Sequence, residues 1–507
     1  MPDDAFLEPD LVDHGDPRAR AALEELGRRT WEVALDWLHG SARERPIAPE
    51  SYVEARRAFF GERGEPAPAP KQPATSEAVL AEFHDRVAPR VFSAQHPGSY
   101  SYFTPPPLPM SIAGEVLAQW VHQGVDVWHA GPVAAFVEEE VTSWLRDLVG
   151  AGKDSWAVLT SGGVMANLMG LTVARDVHLA GRRGTAAPPR GAALEGVRVY
   201  ASDQAHFSVA RALGILGFPD ETLRILPSDD AFRLRADTVA AAVAEDRAAG
   251  LLPFAIAAVS GSTNTGSTDD VVGLAEVARR EDLWLHVDAA YGGAARLSPL
   301  HAHRVPGLEL ADSVTIDPHK WFFQAYDVGA LVVRRREDLH RTFDRSPEYY
   351  RHPSPEEEPL HWYQYSMEGT RRFRALKLWM SWKQLGTVGF GRLVERNMDL
   401  TAHLVRRCRD AGFEVAPAEP ELSVVCFRVV PPGADDAAVD ALQDRLQQEL
   451  ERSGEGWVST TTLRGRRYLR AGVVNYLSTD GDADRVVDAI ARHAAALVAA
   501  GTGGART

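Results

Sequence analysis

Between Trp156 and Val333 short apolar runs alternate with amphipathic stretches, a pattern that predicts strand and helix in turn along the chain. The runs are Trp156 to Leu159, Val197 to Ala201, Phe254 to Val259, Leu283 to Asp288, Ser313 to Ile316 and Val328 to Val333. Runs apolar on both faces suit buried strands, so an α/β domain with a mixed, mostly parallel sheet is expected. Upstream, residues 18–60 read as helical, with Trp31, Leu35 and Trp37 among the recurring apolar positions. Pro66, Pro68, Pro70 and Pro73 then predict an extended connector, because proline cannot continue a helix. A second helical stretch, residues 77–87, follows, and residues 111–144 form a helical region interrupted near Gly131-Pro132. Beyond the alternating region come a helix to Arg407, a strand at 422–430, an amphipathic helix at 435–452, strands near 457–463 and 468–475, and a final helix from Asp482. These divide the chain into an N-terminal helical arm (1–90), a large domain (91–385) and an α+β C-terminal small domain (386–507).

Composition narrows the class. The 507 residues are 45% hydrophobic and 25% charged, enough for a large core. The net charge of −15 argues against nucleic acid or an anionic membrane as the main partner. The start, Met1-Pro2-Asp3-Asp4, lacks the basic and apolar regions of a signal peptide, and no apolar stretch reaches spanning length. A cytoplasmic protein is therefore expected. The two cysteines, Cys408 and Cys426, form no metal-binding or disulfide pattern.

The candidate chemistry lies in Asp317-Pro318-His319-Lys320-Trp321, a turn between two apolar runs at the sheet edge where ligands gather. A desolvated lysine loses its proton more easily than in water, where its pKa is ~10.4, and becomes a Schiff-base nucleophile. Asp288 ends an earlier strand. A lysine paired with such an aspartate suits pyridoxal phosphate, the lysine holding the aldehyde and the aspartate facing the ring nitrogen. Thr160 to Asn167 places Gly162-Gly163 at a helix start, where backbone amides and the helix dipole favour a phosphate.

Together, His286-Val287-Asp288-Ala289-Ala290-Tyr291 and Asp317-Pro318-His319-Lys320-Trp321 resemble the fold type I pyridoxal-phosphate decarboxylases that include the aromatic-L-amino-acid, histidine and glutamate decarboxylases. The resemblance implies that Lys320 carries the cofactor, that Asp288 meets its ring nitrogen, and that His206, in Ser202 to Ser208, stacks on the ring. It gives the phosphate to the backbone of Gly163 and Val164, with Ala290 and His319 also against the cofactor. Tyr349 implies a proton donor for the carbanion after carbon dioxide leaves. Tyr102 and Phe103, in the segment His96 to Pro105, imply substrate-pocket walls. It further implies a homodimer with the site between subunits and the N-terminal arm on the partner. An L-amino acid is the expected substrate, aromatic first and smaller or polar second, with aldehyde formation an alternative on the same scaffold. The sequence departs from the family where Val164 replaces a common serine, Val259 a common threonine and Asp317 an asparagine near the phosphate. Gly124 and Asp126 stand where apolar pocket residues are usual. The roles of Arg371 and Arg372 stay open between phosphate, dimer and solvent contacts.

Overall fold

The computed structural model describes residues 17–345 and 359–503. Its centre is a seven-stranded sheet of β1 (Trp156–Thr160), β2 (Val197–Ser202), β3 (Leu223–Leu226), β4 (Leu252–Val259), β5 (Trp284–Asp288), β6 (Ser313–Ile316) and β7 (Gly329–Val333). The spatial order is β1-β7-β6-β5-β4-β2-β3, and only β7 runs antiparallel to its neighbours. The carboxyl ends of β1, β2, β4, β5 and β6 consequently share one edge. Every residue of β1, β5, β6 and β7 is buried, in keeping with their mostly apolar composition on both faces.

Helices cover this sheet. Those that precede it are α1 (Pro17–His39), α2 (Ser41–Glu44), α3 (Tyr52–Phe60), α4 (Ser76–Glu82), α5 (Pro109–Val121) and α6 (Pro132–Val149), and α7 (Gly163–Val173) follows β1. The expected helix over 18–60 is three pieces, and the last starts at a capping box in which Ser51 and Glu54 satisfy each other's backbone amides. The region 111–144 divides where His122 adopts a left-handed φ of 47°, and Pro132 opens α6.

A smaller antiparallel sheet, β8 (Glu414–Ala416), β9 (Val424–Arg428), β10 (Ser459–Leu463) and β11 (Arg466–Gly472), packs with the helices Asp436–Ser453 and Asp480–Gly503 around a second hydrophobic core. The helical segment Ala375–Asp410 connects the two parts and is broken at Gly386, whose φ of 60° is left-handed. The sequence pattern did not include β3 or β8. Both are short, with Leu-Arg-Ile-Leu and Glu-Val-Ala only partly buried at sheet edges, too few positions to set a period.

Little of the first four helices is buried. Ala19 and Ala42 are the buried positions of α1 to α4, while Trp31, Tyr52, Val79 and Phe83 are exposed. Among the described residues no helix is long and apolar enough to cross a membrane.

Candidate active site at the carboxyl edge of the large sheet

β6 ends at Ile316, and the next residue pins the chain to its neighbour: the Asp317 amide donates to the Ala290 carbonyl at 3.0 Å. The Lys320 amide turns back to the Asp317 carbonyl at 2.9 Å, and the His319 ring closes the turn with Nδ1 2.7 Å from the Val328 carbonyl. This delivers Lys320 into a cavity of about 430 Å³. The same cavity is lined by Gly162, Gly163, Val164, His206, Asp288, Ala290 and His319, so residues spread over more than 150 positions converge on one site.

Asp288 is buried and enters this cavity from the end of β5. Its Oδ1 accepts from the Ala290 amide at 3.1 Å and its Oδ2 from the Asn167 side-chain amide at 2.7 Å. Asn167, on the second turn of α7, is the centre of a larger network. Its nitrogen also donates to Ser208 Oγ at 2.8 Å, and its oxygen accepts from His286 Nε2 at 2.9 Å and Thr315 Oγ1 at 2.6 Å. Trp284 Nε1, a group that can only donate, gives its hydrogen to Ser313 Oγ at 2.9 Å. The Asn167 oxygen can only accept, so His286 donates to it from Nε2, and the Nδ1 of a neutral ring accepts the Ser313 hydrogen at 2.8 Å. Burial pushes the His286 pKa down to about 4 against the pull of Asp288, so this ring is neutral and the network has one polarity.

His206 lies at the other end of the network. Ser208 Oγ is 2.7 Å from its Nδ1, and the Ser208 amide donates to the same atom at 3.4 Å. Nδ1 is thus the acceptor, and the ring proton resides on Nε2. Burial lowers the His206 pKa although Asp288 raises it, which keeps the ring uncharged.

The glycine turn at the start of α7 is equally constrained. A Cβ on Gly162 would lie 3.2 Å from the His319 ring, and one on Gly163 would lie 2.7 Å from Asp317 Oδ2. The first amides of α7 have no intrahelical partners and carry the positive end of its dipole. The Val164 side chain is 37% exposed and offers no hydroxyl.

One expectation about Lys320 is overturned. Burial does pull its pKa down, but the carboxylates of Asp317 and Asp288 more than offset this, and the net direction is up. The cause is close: Nζ sits 3.0 Å from Asp317 Oδ2. The free amine is held as an ammonium.

Tyr102 and Phe103 do not line this cavity. The Phe103 ring is stacked on Tyr291 at 4.0 Å, behind the wall that Tyr291 itself forms, with the Arg470 guanidinium 4.8 Å from its ring. Tyr102 is 59% exposed and meets Trp457 edge-on at 5.0 Å, outside the site of its own chain. Tyr349 lies outside the described residues. Arg371 is a structural residue, 1% exposed, paired with the buried Glu138 and donating to the carbonyls of Val125 at 3.1 Å and Leu159 at 2.8 Å. Arg372 pairs with Glu115 and with Asp327 at 3.2 Å. Neither arginine reaches the cavity. Asn167 is the functional residue that sequence reasoning left unassigned; its signal was position, one helical turn after the glycines.

Residues 61–430 match the family model for the pyridoxal-dependent decarboxylase conserved domain. This chain belongs to that family. The decarboxylase is 31% identical over 459 residues to an aromatic-L-amino-acid decarboxylase of Bacillus atrophaeus, covering 90% of this chain and 92% of the relative. It is also 30% identical over 422 residues to an L-2,4-diaminobutyrate decarboxylase of Acinetobacter baumannii, covering 78% and 82%. In fold it is similar to the Oryza sativa TDC solved with PLP and tryptamine, with a TM-score of 0.87, 24% identity and 95% and 99% coverage. The enzyme is a carboxy-lyase that uses pyridoxal phosphate to decarboxylate an amino acid. Its residues fit that cofactor. A lysine amine, a buried carboxylate with one face toward the cavity and a close-packed glycine turn at a helix N-terminus border one space of suitable volume.

Proposed function

We propose that this decarboxylase acts on aromatic L-amino acids and releases the amine and carbon dioxide. The observation that carries this reading is the lining of the cavity. Val164, Phe207, Val259, Tyr291 and Tyr326 border it, and Lys320 is the sole lysine or arginine among the described lining residues. An apolar, aromatic wall holds a flat apolar side chain and gives no cation to a second carboxylate.

Lys320 would hold the cofactor, and the Gly163 and Val164 amides would receive its phosphate. Bound pyridoxal phosphate supplies an electron sink for the pair left when the Cα–carboxylate bond breaks. Asp288, kept as an acceptor by Asn167 and the Ala290 amide, holds a proton at the ring nitrogen. His206, uncharged and fixed through Nδ1 by Ser208, would stack on the cofactor ring without competing for its electrons. Ala290 and His319 bound the cofactor space, and Tyr349 supplies the proton to Cα.

A second reading rests on Asp126, which has a buried Oδ1 without a partner among the described side chains and carbonyls. A carboxylate at a shared site would select a cationic side chain, as in a diamino acid. Sharing is supported by the exposed Val116, Leu117, Trp120 and Val121 of α5 and by Trp31 of α1, an apolar surface suited to a second copy of the chain, and Tyr102 and Phe103 would serve the substrate across that interface.

Carbon dioxide release measured across the proteinogenic amino acids, dopa and 2,4-diaminobutyrate separates these readings. Turnover of Trp, Tyr, Phe or dopa supports the first. Inactivity on all four with turnover of the diamino acid removes it, and peroxide and ammonia among the products would indicate the aldehyde-forming reaction instead.

A further inference from the structure

The site contains a carboxylate that the reaction above does not use. Asp317 is 2% exposed, and its Oδ2 lies 3.0 Å from Lys320 Nζ and 3.7 Å from His319 Nε2. Its Oδ1 is buried without a hydrogen-bond partner among the described residues. The carboxylate is wedged against two glycines: a Cβ on Gly163 would come within 2.7 Å of Oδ2, and one on Gly329 within 2.7 Å of Oδ1. It therefore packs against the first turn of α7, beside the amides assigned to the cofactor phosphate.

The charges around it do not balance once the cofactor is attached. Lys320 and His319 face Asp317 from its own turn, while α7 and β7 approach it through Gly163 and Gly329 and bring no charge. Asp288 and His206 stand across the cavity. Both histidines are kept neutral, chiefly by burial. One ammonium thus serves two carboxylates in the free protein. Attachment removes that ammonium and introduces a phosphate carrying about −1.5 to −2. An ionised Asp317 would then meet the phosphate with no second lysine or arginine among the described cavity-lining residues to offset the repulsion.

We propose that Asp317 takes the proton that the Lys320 ammonium must lose to attack the cofactor aldehyde, and that it stays a neutral acid beside the phosphate in the loaded enzyme. This rests on the assignment of pyridoxal phosphate to Lys320. The step balances within the site. One ammonium hydrogen moves to Asp317, the nitrogen lone pair adds to the aldehyde carbon, and the other two hydrogens leave with the aldehyde oxygen as one water while the carbon–nitrogen double bond forms. One proton transfer both frees the nucleophile and cancels the repulsion.

Infrared difference spectra of loaded minus cofactor-free protein test this directly. The wild type with pyridoxal phosphate should gain the carbonyl stretch of a neutral carboxylic acid, shifted in heavy water and absent from Asp317→Asn, a near-isosteric variant. Pyridoxal, which lacks the phosphate, should attach without leaving that band. A loaded wild type that absorbs in the visible but shows no neutral acid band overturns the proposal and leaves the cofactor assignment intact, as does a band that persists in Asp317→Asn. Absence of visible absorbance with either compound overturns the assignment to Lys320 and this proposal with it.

Discussion

Removing the Asn167 side chain should be among the most damaging single changes outside Lys320. The residue is 1% exposed and makes four side-chain hydrogen bonds, one of them to the carboxylate of Asp288 at 2.7 Å. A bond to a neutral partner contributes about 0.5–1.5 kcal/mol and one to a charged partner about 1.5–3 kcal/mol. The four are not additive, because they share two atoms and their partners relax together. Asn167→Ala should therefore destabilise the protein by about 3–5 kcal/mol, most of it from partners left unsatisfied in a buried place. Asn167→Leu restores the lost volume without the polar atoms and should recover little. Urea unfolding at one fixed protomer concentration, with the cofactor removed, measures this; the fixed concentration matters because association contributes to apparent stability. Cofactor affinity should also fall at least tenfold, the equivalent of about 1.4 kcal/mol, since Asp288 loses the donor that orients it. An Ala variant within 1 kcal/mol of wild type and with unchanged cofactor affinity would refute the view that Asn167 organises the site.

Lys320→Ala should bind pyridoxal phosphate only reversibly, with no visible absorbance of a covalently held cofactor after gel filtration. Tyr349→Phe should keep that absorbance yet lose amine output and yield aldehyde; amine production at the wild-type rate would remove the assigned proton donor. His286 predicts a pH effect. Its folded pKa of about 4 lies below the unfolded 6.5, so the unfolded chain binds the extra proton between these values and stability rises with pH across that window. The contribution is present above pH 6.5 and is lost as the pH falls to about 4, at most about 3 kcal/mol at 1.36 kcal/mol per pH unit. His286→Gln should flatten the slope of unfolding free energy against pH by close to one proton; an unchanged slope would show that the ring takes a proton in the folded state.

The strands around the site were legible because each is a short, mostly apolar run, and the turns after β5 and β6 carried their chemistry in contiguous residues. What was not legible depends on distance in the chain. Asn167 acquires its role from Asp288, Ser208, His286 and Thr315, all more than 40 positions away, and no local pattern marks it. Arg371 sits beside two other arginines in a polar stretch, yet its partner Glu138 is on α6, so it is buried as an ion pair rather than used for phosphate. Lys320 shows the limit of reasoning from burial alone. Desolvation was correctly anticipated, but a carboxylate three residues earlier reverses its outcome. Phe103 and Tyr102 sit in the expected segment, and only the stack with Tyr291 and the contact with Trp457 reveal that neither enters the cavity of its own chain.

The indole of Trp284 ends a buried chain of hydrogen bonds that reaches Asp288 through Ser313, His286 and Asn167. Because Asn167 gives its amide hydrogens to Ser208 and Asp288 and receives from His286 on its oxygen, the side chain that touches Asp288 from within the protein meets it as a donor. On its buried side the Asp288 carboxylate thus meets the Asn167 and Ala290 amides, both donors, and a proton bound to it would face the cavity.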